Sequence, residues 1–258
     1  MPRNGKPFIG CRFRAINNDD CSSRMATILN IETSTNVCSV ALSSDSTVLE
    51  HHENYDGLSH STLLSAYVRS ALEYVRSREM TVDAVAVSIG PGSYTGLRIG
   101  LSEAKGLAFG LQVPLITVGT LQLLAVQTMF SQFSDDMPLF VPMLDARRDE
   151  VYTAVYDEAL NEILSPQAMI LDSHSFSDLR HGNKRLVIAG NGASKAQRII
   201  GSSDDLEYLP DIKPVALDMV ALSEKAWREK RFADIAYSTP MYLKEFQATK
   251  SRKQLLGS

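Results

Sequence analysis

The chain has 258 residues, 44% hydrophobic and 22% charged, enough for one large domain or two small ones of ordinary globular composition. A net charge of −4 and a pI near 5.8 argue against a dedicated nucleic-acid surface. Three cysteines without C-x-x-C spacing fit a reducing compartment without a disulfide framework, and no apolar run approaches the ~18 residues of a membrane span.

Residues 1–24 carry Arg3, Lys6, Arg12, Arg14 and Arg24 but no apolar periodicity, and Asp19 and Asp20 count against a transit peptide. They read as a disordered extension, or as a start assigned upstream of Met25. From Thr27 the pattern predicts three short strands with turns near Ser34–Asn36 and Ser43–Ser46. Leu58–Arg78 reads as a helix whose stripe is Leu63, Leu64, Tyr67, Val68, Ala71, Leu72 and Val75. A strand over Val82–Ile89 follows, then Gly-Pro-Gly and a glycine-laden helix. A strand near Pro114–Val118, a helix from Thr120 and a linker over 131–137 complete the first half.

The second half echoes the first. Glu32 and Asp145 each end the opening strand of a half, and L-V-I-A-G-N-G-A-S-K repeats the order strand, Gly-x-Gly, helix. A last helix is expected over Val215–Lys230, and the tail from Gln247 is polar and basic. Two related halves, each a meander followed by α/β units, suggest duplication.

Glu32 and Asp145 suit a two-lobed cleft for metal-bound phosphate, and equally suit solvated turns. Gly90–Gly92 and Gly190–Gly192 sit where helix N-terminal amides bind anions, yet neither loop matches G-x-G-x-x-G or a P-loop, and tight turns explain them as well. No pair among His51, His52, His60, His174 and His181 has the spacing of a helical zinc site, and no G-x-S-x-G elbow is present. Gly96, Gly100, Ala104 and Ala108 recur at steps of four. Such a ridge permits close helix packing, either inside the chain or against another protein.

The segments I-E-T-S-T-N-V-C-S-V-A-L, G-P-G-S-Y-T-G-L-R-I-G, D-A-R-R-D-E-V-Y and P-M-Y-L-K, in this order between about Thr27 and Lys244, resemble the bacterial TsaB family, also called YeaZ. The resemblance implies an α/β fold of two tandem actin-like, Hsp70-like (ribonuclease H-like) lobes. The lobes are expected over 25–130 and 137–246, with 1–24 and 247–258 outside them. It also implies a non-catalytic cytoplasmic subunit that binds TsaD and works with TsaE and the carbamoyl-adenylate synthase TsaC. These install threonylcarbamoyl on the adenosine beside the anticodon of tRNA, so tRNA is met indirectly, through the complex. The isolated chain is compatible with a homodimer, and no membrane contact is implied.

TsaD, the catalytic paralogue, carries V-H-H-x-x-x-H for its metal. Here V-G-T-L-Q-L-L puts Thr120 and Leu124 at the ligand positions, and leucine cannot coordinate a cation. No metal and no certain cofactor are therefore expected, with weak ATP or ADP binding left open. Glu32, Thr33, Ser34, Asp145, Gly190 and Gly192 would form a vestigial nucleotide cleft. Leu63, Tyr67, Ser93, Tyr94, Thr95, Arg98, Gly100 and Ala104 are expected at the partner surface. The competing functions are an ATP-using, kinase-like enzyme and the metalloprotease of the older glycoprotease name.

Overall fold

The computed structural model describes residues 26–57, 60–132, 137–146, 148–180 and 184–243; the basic stretch 1–24 and the tail from Gln247 lie outside them. The first meander is β1 (Thr27–Glu32), β2 (Cys38–Ser44) and β3 (Thr47–Asn54), followed by α1 (His60–Ser77) and β4 (Ala84–Gly90). Then come α2 (Tyr94–Leu111), β5 (Leu115–Gly119) and α3 (Thr120–Ser131). The second set is β6 (Leu139–Asp145), β7 (Glu150–Tyr156), β8 (Glu162–Ile170), α4 (Ser177–Arg180), β9 (Leu186–Ala189), α5 (Ala193–Ile200), β10 (Leu206–Leu209) and α6 (Val220–Arg228).

The two five-stranded sheets share one topology. The first runs β3-β2-β1-β4-β5 and the second β8-β7-β6-β9-β10. In each, the meander pairs antiparallel and the later strands join parallel to the first strand. Tight turns suffice for the antiparallel pairs, whereas each of the four parallel steps needs a crossover, and α1, α2, α4 and α5 lie in these. The chain is thus two tandem actin-like lobes, as the resemblance implied.

Helices cover both faces of the first sheet. Leu64, Val68, Ala71 and Val75 of α1, with Leu101, Ala104 and Ala108 of α2, pack on Leu29, Ile31, Val40, Val85 and Val87. On the opposite face, Ile28, Ala84, Ala86, Ile116 and Val118 meet Leu123 and Val126 of α3. The other flank of α3, Leu121, Leu124 and Ala125, meets Phe140, Leu144, Ala154 and Tyr156 of the second sheet. A helix wedged between two sheets must be apolar on both flanks, and α3 is, with Gln122 and Gln127 half-buried beside them. The second sheet's remaining face packs Val141, Met143 and Ile188 on Ala193 and Ala196 of α5.

One element departs from chain order. The α6 helix follows the second sheet, yet Leu222, Ala226 and Trp227, with Met219 just before it, pack on the first. The approach is fixed by the Ala216 amide donating to the buried Ser39 hydroxyl on β2, at 2.9 Å. The helix is also shorter than expected: residues 215–219 form turns, with the Asp218 amide donating to the Val215 carbonyl. Trp227 is only 5% exposed, so Trp227→Ala should cost about 3–5 kcal/mol, read as a lower midpoint in urea unfolding. An unchanged midpoint would mean that α6 does not hold the first sheet's face.

Candidate functional site

The glycine-laden helix answers its riddle inward. Ser93 caps α2, its hydroxyl accepting from the Gly96 amide at 3.2 Å, and its own amide donates to the Ser34 carbonyl at 2.6 Å. A Cβ at Gly92 would fall inside van der Waals contact of the Ser34 carbonyl, and one at Gly96 would meet the Thr33 carbonyl. One at Gly100 would meet the Thr33 hydroxyl, which itself donates to the Gly96 carbonyl at 2.8 Å. These glycines let α2 lie directly on the turn after β1.

Two residues expected at a partner surface are therefore corrected. Gly100 is buried against Thr33, and Ala104 has 0% exposure within the first lobe's core. The exposed side of α2 carries Arg98, Ser102, Gly106 and Gly110 at steps of four, and a Cβ at Gly106 or Gly110 meets nothing within 4 Å. The small residues of this row, Ser102, Gly106 and Gly110, have the same spacing as the buried ones, so spacing alone did not separate them. Of the other expected surface residues, Ser93, Thr95 and Arg98 are exposed and Tyr94 is half-buried. Leu63 and Tyr67 are half-buried, leaning on the core, with Tyr67 stacked on His52 at 5.0 Å. Gly100→Ala should cost about 1–3 kcal/mol through overpacking. Gly106→Ala should instead stabilise by up to about 1 kcal/mol, through helix propensity alone. Thermal unfolding of the two variants checks this opposite pair of signs.

The end of β1 holds a buried carboxyl. Glu32 has 0% exposure; its Oε1 accepts from the Ser34 amide at 2.5 Å, while Oε2 makes no hydrogen bond. Burial pushes its pKa from 4.5 to about 7, although the Ser34 and Ser88 hydroxyls lie near enough to favour the ionised form and temper the rise. Neither hydroxyl has a partner of good geometry. Asp218, before α6, is likewise pushed to about 7 by burial, with Glu53 and Glu32 adding repulsion.

The second lobe's acid is in a different state. Asp145 is half-exposed and bound by Lys195 Nζ at 2.5 Å; Lys195 also donates to the Glu150 carbonyl at 2.9 Å. The glycine loops are packed rather than open. Gly190 has φ +108°, and a Cβ there would stand 2.6 Å from Leu124 Cδ2; Gly192 lies against Met143 and donates its amide to the Met143 carbonyl at 3.1 Å. Of the six residues expected in a nucleotide cleft, Glu32, Thr33 and Ser34 are sealed in the first lobe, and Asp145 already holds a cation.

A buried acid with a raised pKa keeps a proton that the unfolded chain releases. The Glu32 contribution to stability should therefore be fully present below about pH 4.5 and be lost by about pH 7. Glu32→Gln, neutral at every pH, should remove part of this slope and stabilise the chain at pH 8 by on the order of 3 kcal/mol. Melting curves at pH 5 and pH 8 test this; an equal effect at both would show that Glu32 does not titrate there.

Thr120 and Leu124 are both fully buried, Leu124 between the two lobes and Thr120 with its hydroxyl unpartnered. Among the described residues no group of three or more His, Cys, Asp or Glu could hold a metal, and no helix is long and apolar enough to cross a membrane.

Comparison with known proteins agrees with this architecture. The family described as "TsaD: tRNA N6-adenosine threonylcarbamoyltransferase" matches residues 42–253. The chain is 31% identical to the "tRNA threonylcarbamoyladenosine biosynthesis protein TsaB" of Bacillus subtilis over 226 residues, 86% of this chain and 96% of that protein. It is 30% identical to the protein of the same name from Escherichia coli, with the same coverage of each chain. The solved structure "YeaZ from Pseudomonas aeruginosa" superposes with a TM-score of 0.68 at 28% identity, covering 85% of this chain and 100% of that one.

Proposed function

The chain belongs to the TsaB (YeaZ) family and takes part in tRNA threonylcarbamoyladenosine biosynthesis, and from that premise we propose that it is a non-catalytic subunit that docks TsaD through α1 and the outer face of α2. The observation that carries this reading is the exposed row Arg98, Ser102, Gly106 and Gly110. At Gly106 and Gly110, where an added Cβ would meet nothing within 4 Å, it leaves α2 with a backbone that another helix can approach closely. Ala66 and Ser65 of α1 are exposed as well, and the half-buried Leu63 and Tyr67 would border the surface.

The non-catalytic half of the proposal rests on chemistry. Glu32 is sealed from solvent, Asp145 is neutralised by Lys195, and Leu124 stands where the paralogue has a metal-binding histidine. A phosphoryl-transfer or metalloprotease site needs open carboxylates or imidazoles, and these positions supply neither. Threonylcarbamoyl transfer would then belong to TsaD, with TsaE and TsaC completing the cycle and this chain supporting the assembly.

Mixing the pure chain with TsaD from the same source, followed by size exclusion with light scattering, tests the assignment. A one-to-one complex is expected, with threonylcarbamoyl transfer to tRNA only when both chains are present alongside TsaE and TsaC. Gly106→Leu should weaken the complex by about 10- to 100-fold while leaving the monomer's melting temperature unchanged or higher. Normal binding by Gly106→Leu would move the docking surface elsewhere.

A further inference from the structure

The segment after α6 runs back over the first lobe as a strap. The Ala233 amide donates to the Leu115 carbonyl on edge strand β5 at 2.8 Å, and the Met241 amide donates to the Ile89 carbonyl at 2.6 Å. Between them, Lys105 Nζ on α2 donates to the carbonyls of Ala236 and Ser238, both at 3.1 Å. Gly90 keeps the crossing close: it has φ +112°, and a Cβ there would stand 2.9 Å from the Met241 carbonyl oxygen. These backbone ties hold the strap without any help from its next side chain, Tyr242.

Tyr242 does something else. Its ring lies 5.3 Å from that of Tyr94, and its hydroxyl accepts from Arg98 Nε at 3.3 Å. The Arg98 guanidinium sits over the Tyr94 ring at 4.2 Å. Tyr242 stays 44% exposed, so it adds little to the core. Arg98 heads the exposed row of α2, where a long side chain would otherwise sample many rotamers. Held by Tyr94 and Tyr242, it is ordered before any partner arrives, and ordering in advance removes a cost of association.

We infer that Tyr242 is a positioning residue of the docking surface, acting through Arg98, so that the C-terminal strap forms part of the partner-binding face. The inference rests on the α2 docking proposal above and deepens it. The two residues are 144 positions apart in the chain, and only the strap's return brings them together.

The test is a double-mutant cycle on the intact chain, with TsaD affinity measured by calorimetry for wild type, Tyr242→Ala, Arg98→Ala and the pair. Each single change should weaken binding by about 5- to 10-fold, and the double variant should be no weaker than Arg98→Ala. Tyr242→Phe, which keeps the ring against Tyr94 but loses the hydroxyl that accepts from Arg98, should weaken binding about as much as Tyr242→Ala, and monomer melting should not move in any variant. Wild-type affinity in Tyr242→Ala, losses that multiply in the double variant, or a drop in melting that accounts for the weakening would each overturn the inference. Gly106→Leu separates the two ideas. If it and Arg98→Ala both bind normally, the docking proposal falls and this inference with it; if both weaken binding while Tyr242→Ala does not, only the role of Tyr242 falls.

Discussion

The first lobe depends on one close approach, the turn Thr33–Ser34 pressed against the glycine face of α2. Three glycines at positions 92, 96 and 100 remove the Cβ atoms that would otherwise strike that turn. Interior glycine costs roughly 1 kcal/mol of helix propensity per position. What offsets it is a helix laid directly on the end of β1, with Ser34 and Thr33 satisfying amide and carbonyl groups at its start. The same contact buries Glu32, because the turn that meets α2 folds over the carboxyl group. A packing decision about glycine therefore also sets the chemistry of the only carboxyl that ends the first strand.

Duplication accounts for the sheets but not for their cover. Both sheets repeat one strand order, yet α3 is shared between them and α6 crosses back to the first. The halves are thus not interchangeable. The second lobe keeps its acid at the end of β6 and pairs it with Lys195, whereas the first keeps Glu32 without a cation and raises its pKa by burial. Each solution removes a free carboxylate from the place where a phosphate-binding cleft would need one. A strap over β5 and α2 then satisfies one carbonyl on the first sheet's edge, Leu115, through the Ala233 amide.

Much of this was legible from the amino-acid sequence. Alternation and turn residues placed the strands of both meanders, the stripe from Leu63 to Val75 placed α1, and the echo of Glu32 by Asp145 announced two lobes with β1 and β6 as counterparts. The motifs around Gly90–Gly100 carried the family resemblance, and V-G-T-L-Q-L-L puts Thr120 and Leu124 where that resemblance expects ligating histidines. These are local matters, because period, turn chemistry and side-chain donors can be read within a few residues.

The tertiary structure decided which side of each element faces inward. Gly100 and Gly106 lie on one helix, six residues apart; one fits against Thr33 and the other against nothing, and periodicity cannot tell them apart when both rows are small. It likewise brought α6 to the first sheet, sealed Glu32, and carried Tyr242 to Arg98 across 144 residues. Spacing in sequence determines which residues share a face, while burial depends on what the rest of the chain brings to that face.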